Sequence, residues 1–332
     1  MRFGLSDTAT ALREAAAGLL DAEVSPDVIR AGWPGGDHAL VSAVWQKLAG
    51  VGAIGTLVPE ERGGLGLDET SLVPLLEEIG RSGLPGPAAE TIAVAAPLLD
   101  GERLAGLLAG DTMAAAQLGP DDLVPHGQQA ALIVLRAGSA LRVYERADLE
   151  LEACTATDGS RAVARLLRRP AAGGIVLTDD PAVIESAWQR GVLGTSALLT
   201  GLAGRMLTLT VGYVKQREQF GRPIGSFQAI KHALASALVA IEFARPTVLA
   251  AAWAQATGAA DAAAQVSAGK VLAADAARLV ARTALQCHGA IGYTTEYDLH
   301  LYAKRAWALI PAWGSPDWHR ARLATCLGVS DG

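Results

Sequence analysis

The chain is 332 residues long, more than one compact core usually holds and enough for two or three packed units. Its 28 basic and 34 acidic residues leave a formal net charge of -6, and no run of lysine and arginine stands out. This balance argues against a nucleic-acid partner, because binding to a polyanion needs a basic surface. Hydrophobic residues make up 51% of the chain and aromatic residues only 5%, so small aliphatic side chains should fill closely packed helices.

Redox and targeting signals are few. The cysteines, Cys154, Cys287 and Cys326, lie far apart and form no CxxC pair, which is typical of reduced thiols in a cytoplasmic protein. The first residues, MRFGLSDTATALREAA, contain no basic head followed by an apolar run, so we expect no signal peptide. Apolar segments such as 233–240 are too short, or too interrupted by charge, to indicate a membrane span. We therefore expect a cytoplasmic protein with no membrane partner.

Residues 6–110 are predicted to be helical. Ser6 and Asp7 can cap a first helix, and apolar residues recur at helical spacing there and again in 41–48 and 70–79. The intervening stretch 59–66 reads PEERGGLG, and three glycines in four residues indicate a loop that needs positive φ or a close backbone approach. We interpret this loop as a plain connection between helices.

A small β domain is predicted to follow, from residue 112 to residue 180. Three short segments, 131–135, 141–144 and 174–177, are rich in branched aliphatic residues and are bounded by Gly, Asp or Pro, which is typical of strands. From 181 to 332 long apolar-periodic runs return at 185–216, 227–257 and 260–289. Gly258 marks one stop, and a last helix over 297–309 ends before Pro311.

The sequence therefore predicts an α+β fold that is mostly α. It comprises an N-terminal helical domain (1–111), a reduced β domain (112–180) and a C-terminal antiparallel four-helix bundle (181–332).

The segment 217–228, REQFGRPIGSFQ, carries the first set of functional side chains. The guanidinium of Arg217 can fork onto phosphate oxygens, and Phe220 offers a ring to an adenine or an isoalloxazine. Gly221 and Pro223 should fix a turn before the next helix, which Ser226 is placed to cap. The alternative is an exposed helix end on which the arginine stem simply covers apolar surface.

The segment 286–297, QCHGAIGYTTEY, carries the second set. Its small residues let backbone N–H groups approach a ligand at the end of a helix. We interpret His288 as a packing or hydrogen-bonding residue, because no Cys or carboxylate stands at metal-ligand spacing from it. No metal site is predicted.

Together these two segments resemble the C-terminal half of the acyl-CoA dehydrogenase family of flavoenzymes, whose domain order is also helical, β, helical. The resemblance implies that the first segment reaches across a subunit interface to an FAD held mainly by the neighbouring subunit, and that the second meets the same FAD near its ADP half. The cofactor-binding residues implied in this way are Arg217, Gln219, Phe220, Ile224, Phe227, Gln228, Gln286 and Gly289.

Two departures from the family pattern concern the chemistry itself. The family's TEPxxGSD-like segment, which binds the flavin ring and the thioester, is absent from 114–122, which reads AAAQLGPDD. The family's YEGT-like tetrapeptide with the catalytic glutamate is replaced by AWGS at 312–315, so Trp313 occupies the position of the base. Some subfamilies carry the glutamate on a bundle helix instead, just beyond an arginine. Here the stretch beyond Arg245 that corresponds to it is 253–257, WAQAT, which ends at Thr257 and contains no acid. We therefore predict no catalytic residue in this chain.

Other charged and aromatic residues near these positions are interpreted as structural. None of the nearby acids is predicted to replace the missing base. These acids are Glu242, Glu296, Asp298 and Asp317. The run that contains Asp298, His300, Lys304 and Arg305 is interpreted as a solvated or interfacial helix face. The tryptophans near the C-terminus, Trp307, Trp313 and Trp318, are interpreted as an apolar core or an interface anchor.

Short, base-less members of the family form the small subunits of heterotetrameric acyl-CoA dehydrogenases of actinobacterial steroid degradation, and this chain resembles them. The resemblance implies a non-catalytic subunit of an α2β2 enzyme that shares FAD at its interface with a catalytic partner. It further implies an acyl-CoA substrate, with a steroid side-chain ester first in line, and an electron-transfer flavoprotein as acceptor. Two alternatives stay open: a self-sufficient enzyme of the flavin monooxygenase or oxidase type, and a flavin-free structural or regulatory subunit.

Overall fold

The computed structural model describes residues 4–170 and 172–329. Its helices are α1 Asp7–Glu23, α2 Pro26–Ala31, α3 His38–Gly50, α4 Glu69–Ser82, α5 Ala96–Leu98, α6 Gly101–Leu108, α7 Pro181–Gln216, α8 Gln228–Ala256, α9 Ala262–His288, α10 Leu299–Leu309 and α11 Pro316–Cys326. Its strands are β1 Ala114–Gln117, β2 Leu123–Val124, β3 Leu132–Ala137, β4 Ala140–Glu145, β5 Leu151–Ala153, β6 Ala164–Leu166, β7 Ile175–Thr178, β8 Glu218–Gln219 and β9 Arg222–Pro223. The predicted mostly α fold is confirmed, whereas the domain limits stay a prediction.

The N-terminal helices begin where the sequence offers caps. The Ser6 hydroxyl accepts a hydrogen bond from the Ala9 amide at the start of α1, and the Asp68 carboxylate accepts one from Thr70 at the start of α4. The glycine-rich loop between α3 and α4 is a connection, as predicted. Its Arg62 guanidinium donates to the carbonyl of Leu99, and a Cβ on Gly64 would meet the Val58 carbonyl at 2.0 Å. The loop therefore needs its glycine for close backbone packing.

Two small sheets follow. The first has the order β1-β3-β4-β7, with β1 parallel to β3 and the other pairs antiparallel. The second has the order β2-β6-β5. The Thr91 side chain lies in a π-helical segment, Ala89–Ala95, and its hydroxyl exchanges hydrogen bonds with both backbone groups of Ala114 at 2.9 and 3.1 Å. This pair of bonds anchors β1 to the N-terminal helices.

The three long helices α7, α8 and α9 pack against one another, α10 crosses α7, and α11 lies along α9. Helix α7 also packs closely on α4, because a Cβ on Gly201 would lie 2.0 Å from the Glu77 carbonyl and one on Gly80 would lie 2.3 Å from the Leu198 carbonyl. One continuous core runs through these helices and includes inward-facing residues of β1, β3 and β4. The junction between sheet and bundle is therefore solidly packed.

We expected no apolar segment long and uncharged enough to span a membrane, and this expectation was wrong for two helices. By length and composition alone, α7 and α8 are apolar enough to cross a membrane. Inside the protein, 78% of the most apolar window of α7 is buried, against 22% for that of α8. The length of α7 reflects its place at the centre of the bundle, and α8 leaves apolar side chains exposed on its outer side.

The predicted solvated face of the last bundle helix also needs correction at Arg305. This side chain is buried, and it donates to the Asp158 carboxylate at 2.5 Å, to the Leu84 carbonyl at 3.0 Å and to the Ser160 hydroxyl. A buried guanidinium needs such partners, because an unpaired charge in the interior is costly. Arg305 thus ties α10 to the N-terminal region and to the β domain.

Candidate cofactor half-site and the position of the base

The segment after α7 forms a tight hairpin that projects from the bundle. Strands β8 and β9 pair, and the Ile224 amide donates to the Arg217 carbonyl at 2.8 Å. The turn residues Phe220 and Gly221 have φ values of 53° and 76°, as in the primed turns that suit two-residue hairpins. Phe220 is 91% exposed. A bulky residue at positive φ is strained by about 1–3 kcal/mol, and strain of this kind gathers at binding loops.

The polar side chains of this hairpin are uncommitted. Within residues 4–170 and 172–329, the side chains of Arg217, Gln219 and Gln228 make no hydrogen bond or ion pair, and all three are exposed. By contrast, the guanidinium of Arg222 lies 4.2 Å from the ring centroid of Phe227. The predicted residues Ile224 and Phe227 are half-buried beneath the turn. Ser226 does not cap α8, whose first residue follows Phe227 without a side-chain cap, so that prediction was wrong.

The second predicted segment begins at the end of α9 and lies beside the last turn of α7, which leads into the hairpin. Gly289 has a φ of 62°, and both Gly289 and Gln286 are exposed. His288 is buried and stacks on Tyr213 from the last turn of α7, with ring centroids 4.3 Å apart. Burial lowers the pKa of His288, although a bond to the Ala284 carbonyl opposes the shift. The structure therefore brings the two segments together through helix ends.

A cation, amide side chains, a protruding aromatic ring and a glycine turn are thus exposed at two neighbouring helix ends. These are the groups that a dinucleotide needs: a fork for pyrophosphate, donors for polar edges and a ring to stack on. They fit one side of an FAD molecule and leave its other side to be covered by something else. Among the described residues, no cluster of three or more His, Cys, Asp or Glu side chains could hold a metal ion.

Trp313, at the position of the base, faces the protein interior. Its backbone has a φ of 58°, and its indole Nε1 donates to Glu90 Oε1 at 3.3 Å. Its ring leaves no room for a side chain at Gly191, where a Cβ would lie 2.5 Å from it. The Nε2 of His319 donates to the Trp313 carbonyl at 3.0 Å. An indole has no proton-accepting group of useful basicity, so Trp313 cannot act as a base.

Trp313 borders a cavity of about 1210 Å³ between the bundle, the sheet and the N-terminal region. Glu90 and Arg161 also border this cavity, and sequence reasoning identified neither. Arg161 is buried, and its guanidinium donates to the Ala308 carbonyl at 2.7 Å. Burial lowers the pKa of Arg161, while the charges of Glu90 and Asp158 oppose the shift. No local sequence motif predicts that Glu90 and Arg161 border the cavity, because distant parts of the chain bring them there.

The strand that faces this cavity lacks groups suited to a flavin ring. The first residues of β1 present only alanine methyl groups. The Gln117 side-chain amide is hydrogen-bonded within its own loop. Its Nε2 donates to the Leu123 carbonyl at 2.7 Å, and its Oε1 accepts from the Gly119 amide at 2.9 Å. The side chains of this wall therefore do not fit an isoalloxazine, in contrast to the outward hairpin.

The other acids considered from the sequence are exposed or paired and do not border the cavity. Glu242 pairs with Arg245 at 2.6 Å on the surface of α8, and Asp317 pairs with Arg320 at 2.8 Å. Asp298 pairs with Arg30. Glu296 is exposed. At the alternative position of the base, at the end of α8, the Thr257 hydroxyl donates to the Trp253 carbonyl at 2.8 Å.

Comparison with known proteins identifies the class. A family model described as "Acyl-CoA dehydrogenase, N-terminal domain" matches residues 6–101, and one described as "Acyl-CoA dehydrogenase, C-terminal domain" matches residues 182–327. The chain is 35% identical over 302 residues to acyl-CoA dehydrogenase IpdE2 of Mycobacterium tuberculosis, and the alignment covers 89% of each protein. The chain belongs to the acyl-CoA dehydrogenase family, a family of oxidoreductases.

Solved structures agree on the fold. A chain of the Tcur3481-Tcur3483 steroid ACAD (G363A variant) superposes with a TM-score of 0.85 at 26% identity, covering 97% of this chain and 98% of that one. A chain of the ChsE4-ChsE5 complex from Mycobacterium tuberculosis superposes with a TM-score of 0.82 at 23% identity, with full coverage of both. PigA in complex with FAD and proline gives a TM-score of 0.81 at 18% identity, covering 99% of this chain and all of that one.

Proposed function

We propose that this chain is the non-catalytic subunit of a hetero-oligomeric, FAD-dependent acyl-CoA dehydrogenase, and that it completes the FAD site of a catalytic partner. The observation that carries the proposal is the outward hairpin. Phe220 is held at positive φ in almost full exposure beside the uncommitted Arg217 and Gln219, which leaves the site open on its outer side. A partner surface that holds the rest of the cofactor would cover these groups.

Absence of a base supports the same division of labour. The family reaction removes a proton α to a thioester carbonyl, and this needs a carboxylate poised by its surroundings. A bound FAD would supply the acceptor for the hydride that leaves the β carbon. In this chain Trp313 stands where the carboxylate would be, so the partner must supply it. Arg217 would bind phosphate, Gln219 and Gln286 would orient the cofactor, and Phe220 would keep water from it.

An exposed apolar surface supports a protein partner. The outer bundle face, formed by Leu238, Val239 and Phe243 of α8 with Leu272 and Leu279 of α9, is exposed in the single chain, and Phe243 is 68% accessible. Exposed apolar side chains grouped on two packed helices are typical of interaction sites in proteins. The face belongs to the bundle that also carries the hairpin. A catalytic subunit docked there would lie close to the FAD-binding groups.

For the substrate, we propose an acyl-CoA thioester with a steroid-derived acyl group. The support is the similarity to a protein described as a steroid ACAD. An electron-transfer flavoprotein as acceptor and a cytoplasmic location rest on family membership alone. The two alternatives, a self-sufficient flavin enzyme and a flavin-free subunit, differ from this proposal in how much flavin they predict for the isolated chain and for the assembly.

The test is a paired purification of this chain alone and together with a candidate catalytic subunit encoded beside it. We expect the isolated chain to carry no visible flavin absorbance, and the co-purified assembly to be yellow and to desaturate a steroid acyl-CoA. A yellow homo-oligomer with one flavin per chain would contradict the proposal and favour the self-sufficient enzyme. A colourless hetero-assembly would favour the flavin-free subunit.

A further inference from the structure

Three aromatic rings join the two segments of the half-site. Tyr213 lies in the last turn of α7, His288 is the last residue of α9, and Tyr297 ends the second segment. The ring centroids of Tyr213 and His288 are 4.3 Å apart with an interplanar angle of 23°. Those of His288 and Tyr297 are 4.7 Å apart, and those of Tyr213 and Tyr297 are 5.7 Å apart. We refer to Tyr213, His288 and Tyr297 as the aromatic clamp.

Hydrogen bonds extend the clamp into both segments. The Tyr213 hydroxyl donates to the His288 carbonyl at 3.4 Å, directly before Gly289. The Tyr213 carbonyl accepts from the Arg217 amide at 2.9 Å, at the first residue of the hairpin. The Nδ1 of His288 lies 2.7 Å from the Ala284 carbonyl and must donate to it, which fixes the ring on its own helix. Tyr213 therefore contacts the backbone of both segments, and His288 holds it there.

The exposed tip of the hairpin has few other restraints. The hairpin consists of two paired two-residue strands, and most of its residues from 217 to 222 are exposed. A binding site made of weakly restrained segments has to order them when its ligand arrives, which weakens affinity. A ring stack built on the buried His288, at the base of both segments, removes part of that cost in advance. The clamp therefore lies where it can set the separation between Arg217 and Gly289.

We propose that His288 is a positioning residue for FAD: through its stack on Tyr213, it holds the two cofactor segments at their binding separation before the cofactor arrives. This inference rests on the proposed function, because it assumes that the two segments bind one FAD. His288 touches neither the cofactor nor the reacting atoms in this account. It acts through Tyr213 and through the backbone of Arg217 and Gly289.

The test measures the FAD affinity of the flavin-stripped hetero-assembly by titration, together with its thermal melting temperature. We expect His288→Ala to weaken FAD binding about tenfold. His288→Phe, which keeps a ring for the stack, should restore affinity to within about threefold of the parent. Tyr213→Leu removes the same stack from the side of α7 and should match His288→Ala, which keeps the test informative if His288→Ala does not fold.

The matched control is His319→Ala. His319 is also a buried histidine with a ring nitrogen bonded to a backbone carbonyl, but it lies at Trp313, away from both segments. We expect this variant to lower the melting temperature and to leave FAD affinity unchanged. Equal losses of stability in His288→Ala and His319→Ala, with no loss of FAD affinity in either, would overturn the positioning role. So would a His288→Phe protein that binds FAD no better than His288→Ala.

Arg217→Ala, measured in the same series, separates this inference from the proposed function. Weaker FAD binding in Arg217→Ala with unchanged binding in His288→Ala would overturn only the clamp. Unchanged binding in both variants would overturn the shared cofactor site itself. Weaker binding in both, with rescue by His288→Phe, is the result that the inference predicts.

Discussion

The hairpin at 217–228 and the surroundings of Trp313 treat their polar groups in opposite ways. In the hairpin, Arg217 and Gln219 face outward without partners among the described residues. Around Trp313, Glu90 accepts from the indole and Gln117 closes on its own loop. Uncommitted polar groups are available to a ligand, whereas internally satisfied ones are not. This contrast supports the proposal that the chain offers its cofactor contacts to a neighbouring subunit rather than to a site of its own.

If the interior is built for stability, the largest effect should come from breaking its buried ion pair. Arg305→Ala would leave Asp158 buried without its cation, and we expect a loss of about 3–5 kcal/mol in the free energy of unfolding. Chemical denaturation of the isolated chain measures this. Arg320→Ala, which removes exposed pairs with Asp275 and Asp317, is the control and should cost at most about 1 kcal/mol. Equal costs in the two variants would show that the buried ion pair stabilises the fold no more than an exposed one, which would contradict this account of the interior.

The hairpin should show the converse behaviour. Arg217→Ala removes a charge-assisted bond to phosphate worth about 1.5–3 kcal/mol, so FAD affinity of the hetero-assembly should fall about 10- to 100-fold. The melting temperature of the isolated chain should stay the same, because the side chain has no partner among the described residues. Lys215→Ala, a nearby exposed cation at the end of α7, is the control and should leave FAD affinity unchanged. A fall in melting temperature without loss of flavin would assign Arg217 to the fold.

A smaller effect should appear in the pH dependence of stability. Burial lowers the pKa of His319 from 6.5 to about 4, while the bond to the Trp313 carbonyl opposes the shift. As the pH falls from 6.5 towards 4, His319 binds a proton in the unfolded chain but not in the folded chain. The free energy of unfolding therefore falls by at most about 1.4 kcal/mol per pH unit. His319→Gln should lose this part of the slope in denaturation series at pH 7 and pH 5. An unchanged slope would mean that folding does not lower the pKa of His319.

The smallest expected effect concerns Glu90, the carboxylate that accepts a hydrogen bond from the Trp313 indole. Glu90→Gln keeps an acceptor for the indole, so turnover of the hetero-assembly should stay within about twofold of the parent. Loss of a general base would instead slow turnover by a factor of about 10² to 10⁴. Steady-state assays at saturating acyl-CoA distinguish the two outcomes. A loss of that size would place the base in this chain and reverse the comparison between its two regions.

Much of the helical framework could be predicted from the sequence. The expected helices at 185–216 and 260–289 correspond to Pro181–Gln216 and Ala262–His288, because long apolar-periodic runs end at recognisable stop residues. The β domain was only partly predicted. Strand β1 escaped because its sequence, AAAQ, has weak strand propensity and pairs with β3 through tertiary context.

The site divides in the same way. The two segments could be identified because their residues are adjacent in sequence, and their role in binding the cofactor stays a prediction. Arg305 was misassigned because its partner Asp158 lies 147 residues away, and charge spacing on one helix carries no information about such a contact. Glu90 and Arg161 were missed for the same reason. Local patterns indicate what a segment can do, and only the packed structure indicates which groups meet.

The central claim is that this chain supplies half of a cofactor site to a different subunit. Native mass spectrometry of the co-purified assembly tests it most directly, because it counts both chains and flavins in one particle. The account predicts a heterotetramer with two copies of each chain and two FAD molecules, and no flavin on the isolated chain. A homo-oligomer that carries one FAD per copy of this chain, or a heterotetramer with four, would contradict it.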